Sequence, residues 1–200
     1  MKAYDLSDLN VLIVDDNKHV QILLKEVLRA FHVRQIQTSD DGADALKLLR
    51  TFPADIIITD LNMKPLDGLE FVSLVRTSAD STCMYLPIIM LTGHTEMRRV
   101  IEARDAGVNE FLGKPVAPNK LYERIVRIIE CPRMFINVRS YTGPDRRRVN
   151  HSGQRAYTGK ERRKDVQPPV NDDLQNTAAV GQTQAGGANM SQAEISALFG

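Results

Sequence analysis

Five positions in this chain have side chains that can do chemistry together, and each comes just after a short apolar run. Asp15-Asp16 close "VLIV" (11–14) and Asp60 closes "DIIIT" (55–59). Thr92 closes "PIIML" (87–91), and Lys114-Pro115 come after "NEFL" (109–112). Carboxylates gathered from separate loops repel one another unless a cation sits among them. Oxygen donors without His or Cys suit Mg2+, which takes few protein ligands and keeps waters. An ammonium and a hydroxyl opposite the cation complete a pocket for an oxyanion. Together these groups make sense as phosphoryl chemistry with an aspartate as nucleophile.

Such a site requires elements that deliver all five groups to one place. "RQIQT" (34–38) joins the four runs above as a fifth strand. The runs at 11–14, 55–59 and 87–91 are almost wholly apolar, as expected of parallel strands covered on both faces. Between them "HVQILLKEVLRAF", "GADALKLLRTF", "GLEFVSLVRTS", "EMRRVIEARDAG" and "PNKLYERIVRIIE" carry apolar residues at three- and four-residue spacing. Asp41 reads as a helix cap and Gly107 as a helix stop. Five βα units predict a doubly wound α/β domain, whose binding crevice lies at the carboxyl ends of the strands.

Charge divides the chain. Residues 1–132 hold 16 Lys+Arg and 19 Asp+Glu, net −3; residues 133–164 hold 10 and 2, net +8; residues 165–200 hold none and four, net −4. A basic segment between acidic ones is the pattern of a domain with a charged interaction tail. Cys83 and Cys131 form no ligand cluster, which suggests a reducing compartment. The start "MKAYDLSDLN" has no apolar leader core, and no apolar run approaches the ~18 residues of a membrane span. A cytoplasmic protein without a membrane span is expected.

Asp15-Asp16, Asp60, Thr92, Phe111 and Lys114-Pro115, in that order, resemble the signature of the receiver domain of two-component response regulators, particularly the single-domain chemotaxis type. The resemblance covers about residues 9–130. It implies a flavodoxin-like five-stranded parallel sheet of order 2-1-3-4-5 with helices on both faces. It also implies a signalling protein rather than an enzyme. Asp60 would accept a phosphoryl group from a histidine kinase or phosphotransfer protein, while Asp15, Asp16, Asp60 and the Asn62 carbonyl hold Mg2+. Lys114 and Thr92 would bond phosphoryl oxygens, Phe111 would swing inward with Thr92, and Lys114-Pro115 would be cis. Three features depart from the family pattern: Lys64 stands at the usual proline site of "MKPLDG" (63–68), the segment around 77–85 is long, and Phe111 lacks a tyrosine hydroxyl. Asn62 and His94 flank the phosphoryl site.

Beyond Cys131-Pro132 the helical periodicity stops, and a mostly irregular extension is expected. The organisation reads as a receiver over 1–131, an arginine-rich extension over 132–165, a linker over 166–190 and a short amphipathic helix over 191–200. The extension repeats itself: "YTGPDRRR" (141–148) and "YTGKERRK" (157–164). Arginine forks onto phosphate or onto guanine O6 and N7, a carboxylate accepts from guanine's other edge, and tyrosine stacks. Two like units fit a ligand with two like halves, such as cyclic di-GMP. The segment resembles the arginine-rich extension of chemotaxis-like receivers that bind this nucleotide at the flagellar motor. On that resemblance Arg139, Tyr141, Asp145, Arg146, Arg147 and Arg148 form one grip, and Tyr157, Glu161, Arg162 and Arg163 the other. A solvated tail, a polyanion- or membrane-surface-binding tail, and a phosphorelay receiver without nucleotide are the competing readings. No module for specific nucleic-acid reading is present. "SQAEISALFG" (191–200) carries a Ser191/Glu194 capping box with Ile195, Leu198 and Phe199 on one side. It is similar to the peptide by which a flagellar switch protein recruits its regulator, which implies motor partners and recruitment to the flagellar pole. A frayed terminal helix is its plain alternative.

Overall fold

The computed structural model describes residues 4–77, 83–93, 97–138, 141–145 and 191–193. In chain order the elements are β1 (Asn10–Val14), α1 (Lys18–Ala30), β2 (Gln35–Ser39), α2 (Gly42–Leu48), β3 (Ile56–Asp60) and α3 (Gly68–Thr77). They continue with β4 (Ile88–Thr92), α4 (Met97–Ala106), β5 (Glu110–Gly113), α5 (Pro118–Glu130), β6 (Phe135–Val138) and β7 (Tyr141–Pro144). The first five strands form one parallel sheet of order β2-β1-β3-β4-β5, the order that the receiver resemblance implies. All described residues belong to one compact unit, Met1–Arg146 with Ala188–Gly200; none is described in the second unit, Arg147–Gly187.

Alternation along the strands builds two cores. Leu12, Val14, Ile57, Ile88, Met90 and Phe111 face Phe71, Val72, Val75, Val100 and Ala103 from α3 and α4. Val11, Ile13, Ile56, Ile58, Ile89, Leu91 and Leu112 face Leu24, Leu28, Leu121 and Ile125 from α1 and α5. Successive residues of a strand point to opposite faces, so strands covered on both sides are apolar throughout. Every residue of β3 and β4 is buried, whereas β2, at the sheet's edge, alternates. The Asp41 carboxylate caps α2 by accepting from Asp44 N (2.8 Å), and Gly107 ends α4 at φ +99°, where a Cβ is disfavoured.

The extension is not irregular at its start. Phe135–Val138 and Tyr141–Pro144 pair as an antiparallel hairpin, and β7 packs against α3 and α4. Two glycines permit this seating. Gly143 brings its backbone onto Gly107 so closely that a Cβ would lie 2.9 Å from the Gly107 Cα. A Cβ on Gly107 would in turn lie 3.0 Å from the Thr142 carbonyl. Strands of four residues, one of them containing Gly and Pro, give little periodicity to read.

Arg76 underlies this junction at 1% exposure. Its guanidinium donates to the Gly107 carbonyl (3.0 and 3.1 Å), the Asn109 side-chain oxygen (3.1 Å) and the Met84 carbonyl (2.7 Å). Its face lies 5.1 Å from the centre of the Phe135 ring. Burial pushes its pKa down to about 10, which leaves it charged at neutral pH. Replacing Arg76 by Ala removes both guanidinium donors from the buried Gly107 carbonyl and opens a void, so a loss of about 3 kcal/mol is expected in urea unfolding. A loss below about 0.5 kcal/mol, the range of neutral surface changes, would show that the side chain supports neither the end of α4 nor the hairpin.

Candidate functional site

Each residue singled out for chemistry stands at the carboxyl end of a strand, so the sheet itself sets their spacing. Asp15 follows β1, Asp60 ends β3, Thr92 ends β4, and Lys114 follows β5. Parallel register holds the ends level: Asp60 pairs with Leu91, and Thr92 with Gly113. Carboxylate oxygens of Asp15, Asp16 and Asp60 all lie within 4.8 Å of one another. Asp15 and Asp60 are buried, while Asp16 and Asn62 are exposed. Asp16 therefore faces the solvent from which a cation arrives.

Lys114 holds the pocket together. Its ammonium lies 2.9 Å from Asp15 Oδ2 and 3.1 Å from Asp60 Oδ1, with 23% of the side chain exposed. Burial alone would lower its pKa, but the two carboxylates outweigh that and leave it above the usual lysine value. Burial pushes the Asp60 carboxyl above its ordinary range; Lys114 opposes the shift and Asp15 adds to it. The Asp60 shift is chiefly the cost of burying a charge, and the Lys114 shift is the pull of two carboxylates. The donor set of three close carboxylates fits a hard divalent cation. The Lys114–Pro115 peptide is cis, as is Lys64–Pro65.

Some residues that shape the site escape a reading of the sequence. Gln21, buried on α1, donates to the Asp15 carbonyl (2.6 Å), the Ser39 carbonyl (3.1 Å) and Asp40 Oδ1 (2.8 Å), tying the acidic loop to the end of β2. The signal was a polar residue at an apolar helical position. Asn17 N donates to Asp15 Oδ1 at 2.9 Å. Gly68 starts α3 against the backbone of Asp60, where any Cβ would overlap the Asp60 carbonyl oxygen. Thr92 and Phe111 are both fully buried, so the aromatic already points inward.

In the extension, the Tyr141 hydroxyl donates to the Pro144 carbonyl (2.7 Å), and Asp145 N donates to the Met134 carbonyl (2.7 Å). Arg139, Arg146, Arg147, Arg148, Tyr157, Glu161, Arg162 and Arg163 lie outside the described residues, as do His94, Glu194, Ile195, Leu198 and Phe199. The extra length around 77–85 falls partly on residues 78–82, also outside them. Cys83 and Cys131 are not joined in a disulfide. Among the described residues no helix is long and apolar enough to cross a membrane.

Residues 11–126 match the response regulator receiver domain. The chain belongs to this family, whose members of the chemotaxis type are signalling proteins that bind Mg2+ at such an aspartate cluster and interact with histidine kinases or phosphotransfer proteins. It is 33% identical over 130 residues to chemotaxis protein CheY-3 of Vibrio cholerae, covering 65% of this chain and 98% of that one. It is 34% identical over 122 residues to chemotaxis protein CheY of Pseudomonas aeruginosa, covering 61% and 97%. Among solved structures, Vibrio cholerae CheY4 superposes with a TM-score of 0.55 at 32% identity, over 60% of this chain and 98% of that one. The receiver domain of the histidine kinase CKI1 from Arabidopsis thaliana, complexed with Mg2+ and BeF3−, gives 0.57 at 28% identity, over 62% and 92%.

The raised Asp60 pKa gives a signed expectation. A carboxyl whose folded pKa exceeds its unfolded value of 3.8 destabilises the fold once ionised. In chelator, Asp60→Asn should therefore melt higher than the wild type at pH 7, and the difference should vanish below the unfolded value. Mg2+ should narrow the gap by stabilising the wild type more than the variant, which has lost one carboxylate donor. Melts recorded from pH 3 to 8 (an assay range of about five units) check this, and a wild type that is the more stable protein at pH 7 without metal would contradict it.

Proposed function

We propose that this chain is a two-component response regulator that accepts a phosphoryl group on Asp60 in a Mg2+-dependent reaction. The observation that supports it best is the Lys114 ammonium bridging Asp15 and Asp60 at the edge of the three-carboxylate cluster. Asp15, Asp16, Asp60 and the Asn62 carbonyl would hold the cation. Bound there, a divalent ion supplies charge neutralisation for the phosphoryl oxygens. An Asp60 oxygen attacks the phosphorus of a phosphohistidine on a kinase or phosphotransfer partner. The P–O bond forms, the P–N bond breaks, and the imidazole nitrogen leaves with the electron pair. Lys114 then trades its contact with Asp60 for a phosphoryl oxygen, and Thr92 bonds another. The buried Phe111, paired with Met90 one residue before Leu91, reads the movement of the β4 end, so a new charge biases two arrangements of the α4–β5–α5 face.

Acetyl phosphate with Mg2+ should add one phosphoryl group to the wild type, seen by intact mass. Asp60→Asn and chelator should each abolish the gain. An unmodified wild type beside a reacting, verified receiver would end this reading.

We propose further that the arginine-rich extension binds cyclic di-GMP, making the protein an effector acting on flagellar motility, chemotaxis or surface attachment from the cytoplasm, recruited to the flagellar pole. The doubled Tyr-Thr-Gly-X-acid-Arg-Arg unit and the net +8 of residues 133–164 support it. Arg139, Tyr141, Asp145 and Arg146–Arg148 form one half of the grip and Tyr157, Glu161, Arg162 and Arg163 the other. Calorimetry should give binding heat with the wild type and at least about tenfold weaker binding with Arg146→Ala or Arg162→Ala, the loss of one bidentate arginine contact. No heat from the wild type would leave a phosphotransfer receiver without nucleotide. Full competition by duplex DNA in low salt would leave a polyanion-binding tail.

A further inference from the structure

One contact near the phosphoryl site comes from the far end of the chain. Gln192 accepts from Gly113 N through Oε1 (2.9 Å) and donates from Nε2 to the Phe111 carbonyl (3.3 Å), across 79 and 81 residues. β5 is the outer strand of the sheet, flanked by β4 alone. Its pairing with β4 stays in register to the end, so alternate backbone groups of β5, the Gly113 N–H and the Phe111 carbonyl among them, point to the open edge. Lys114 N, one residue past the strand, donates to the Thr92 carbonyl (2.6 Å), while the Gly113 N–H goes to Gln192. Half-buried backbone amides at such a point need a partner, because burial without one costs the full desolvation of the group. A carboxamide carries one donor and one acceptor, the same pair a peptide unit of an added strand would present. Gln192 and Ala193 are helical and Ser191 before them is not, which places Ser191 at the entry of a helical turn.

We infer that the carboxyl end of β5 is a docking surface, and that its occupant is the Ser191–Gly200 segment of the same chain, clasped through the Gln192 carboxamide. Three features favour this occupant. Gln192 is seated there and belongs to the same compact unit as the sheet. The residue it grips is glycine, so no side chain shields the amide from an incoming group. Phe111, whose carbonyl takes the second bond, and Lys114, next to Gly113, lie on either side of the contact. Any external segment using these two backbone groups must first displace Gln192.

Amide hydrogen exchange of the full chain, followed by NMR, tests this. Gln192→Leu keeps the side chain's bulk and removes both bonds. Gly113 N–H should exchange about tenfold faster or more in this variant. Lys114 N–H, bonded to Thr92, should keep its wild-type rate and so reports that the sheet is intact. Adding a synthetic decapeptide of residues 191–200 to Gln192→Leu should restore the protection. Equal Gly113 rates in both chains would overturn the proposal. Protection in the wild type that rises with protein concentration would also overturn it, since the glutamine would then come from a second copy.

Discussion

A single ammonium at the mouth of the sheet holds this structure in its functional form. Asp15 and Asp60 arrive from different strands, one almost fully buried and the other nearly so, and their charges oppose the closeness the sheet imposes. Lys114 answers both at once. Its own position depends on β5 ending in register with Thr92 and on the Lys114 amide reaching the Thr92 carbonyl. The two apolar cores on either side of the sheet fix that register, since a slip of one residue would exchange the faces of Phe111 and Leu112. Packing thus sets the electrostatics, and the electrostatics set the chemistry.

The parts read most easily from sequence are those governed by periodicity. All five sheet strands and five helices fall within a few residues of the positions their apolar patterns indicate, and the acidic pair, Asp60, Thr92 and Lys114 lie where those patterns end. The rest was hidden because its physics is not periodic. Arg76 sits at a helical position where a charge ordinarily marks solvent, yet neutral oxygens and an aromatic ring enclose it. Gln21 and Gln192 look like ordinary polar residues until their long-range backbone partners are known. The β6–β7 hairpin is short, contains Gly and Pro, and depends on a glycine thirty-odd residues earlier in the chain for its seat.

The arginine-rich segment also looks different once its first unit has a place in the fold. Tyr141, Thr142 and Gly143 complete a strand as well as opening a repeat. Tyr141 spends its hydroxyl on Pro144, and Gly143 serves a close backbone approach. The two units, alike in sequence, therefore need not be alike in duty: the first carries a structural obligation to the receiver.

That obligation has a mechanical side. α4 begins a few residues after Thr92 and ends at Gly107, where the hairpin rests. One helix thus follows the strand that ends in Thr92 and stops at the glycine on which the extension's hairpin rests. Whatever coupling this helix carries between its two ends is reciprocal by linkage. Ten residues of helix are all that separate the loop after Thr92 from the seat of the hairpin.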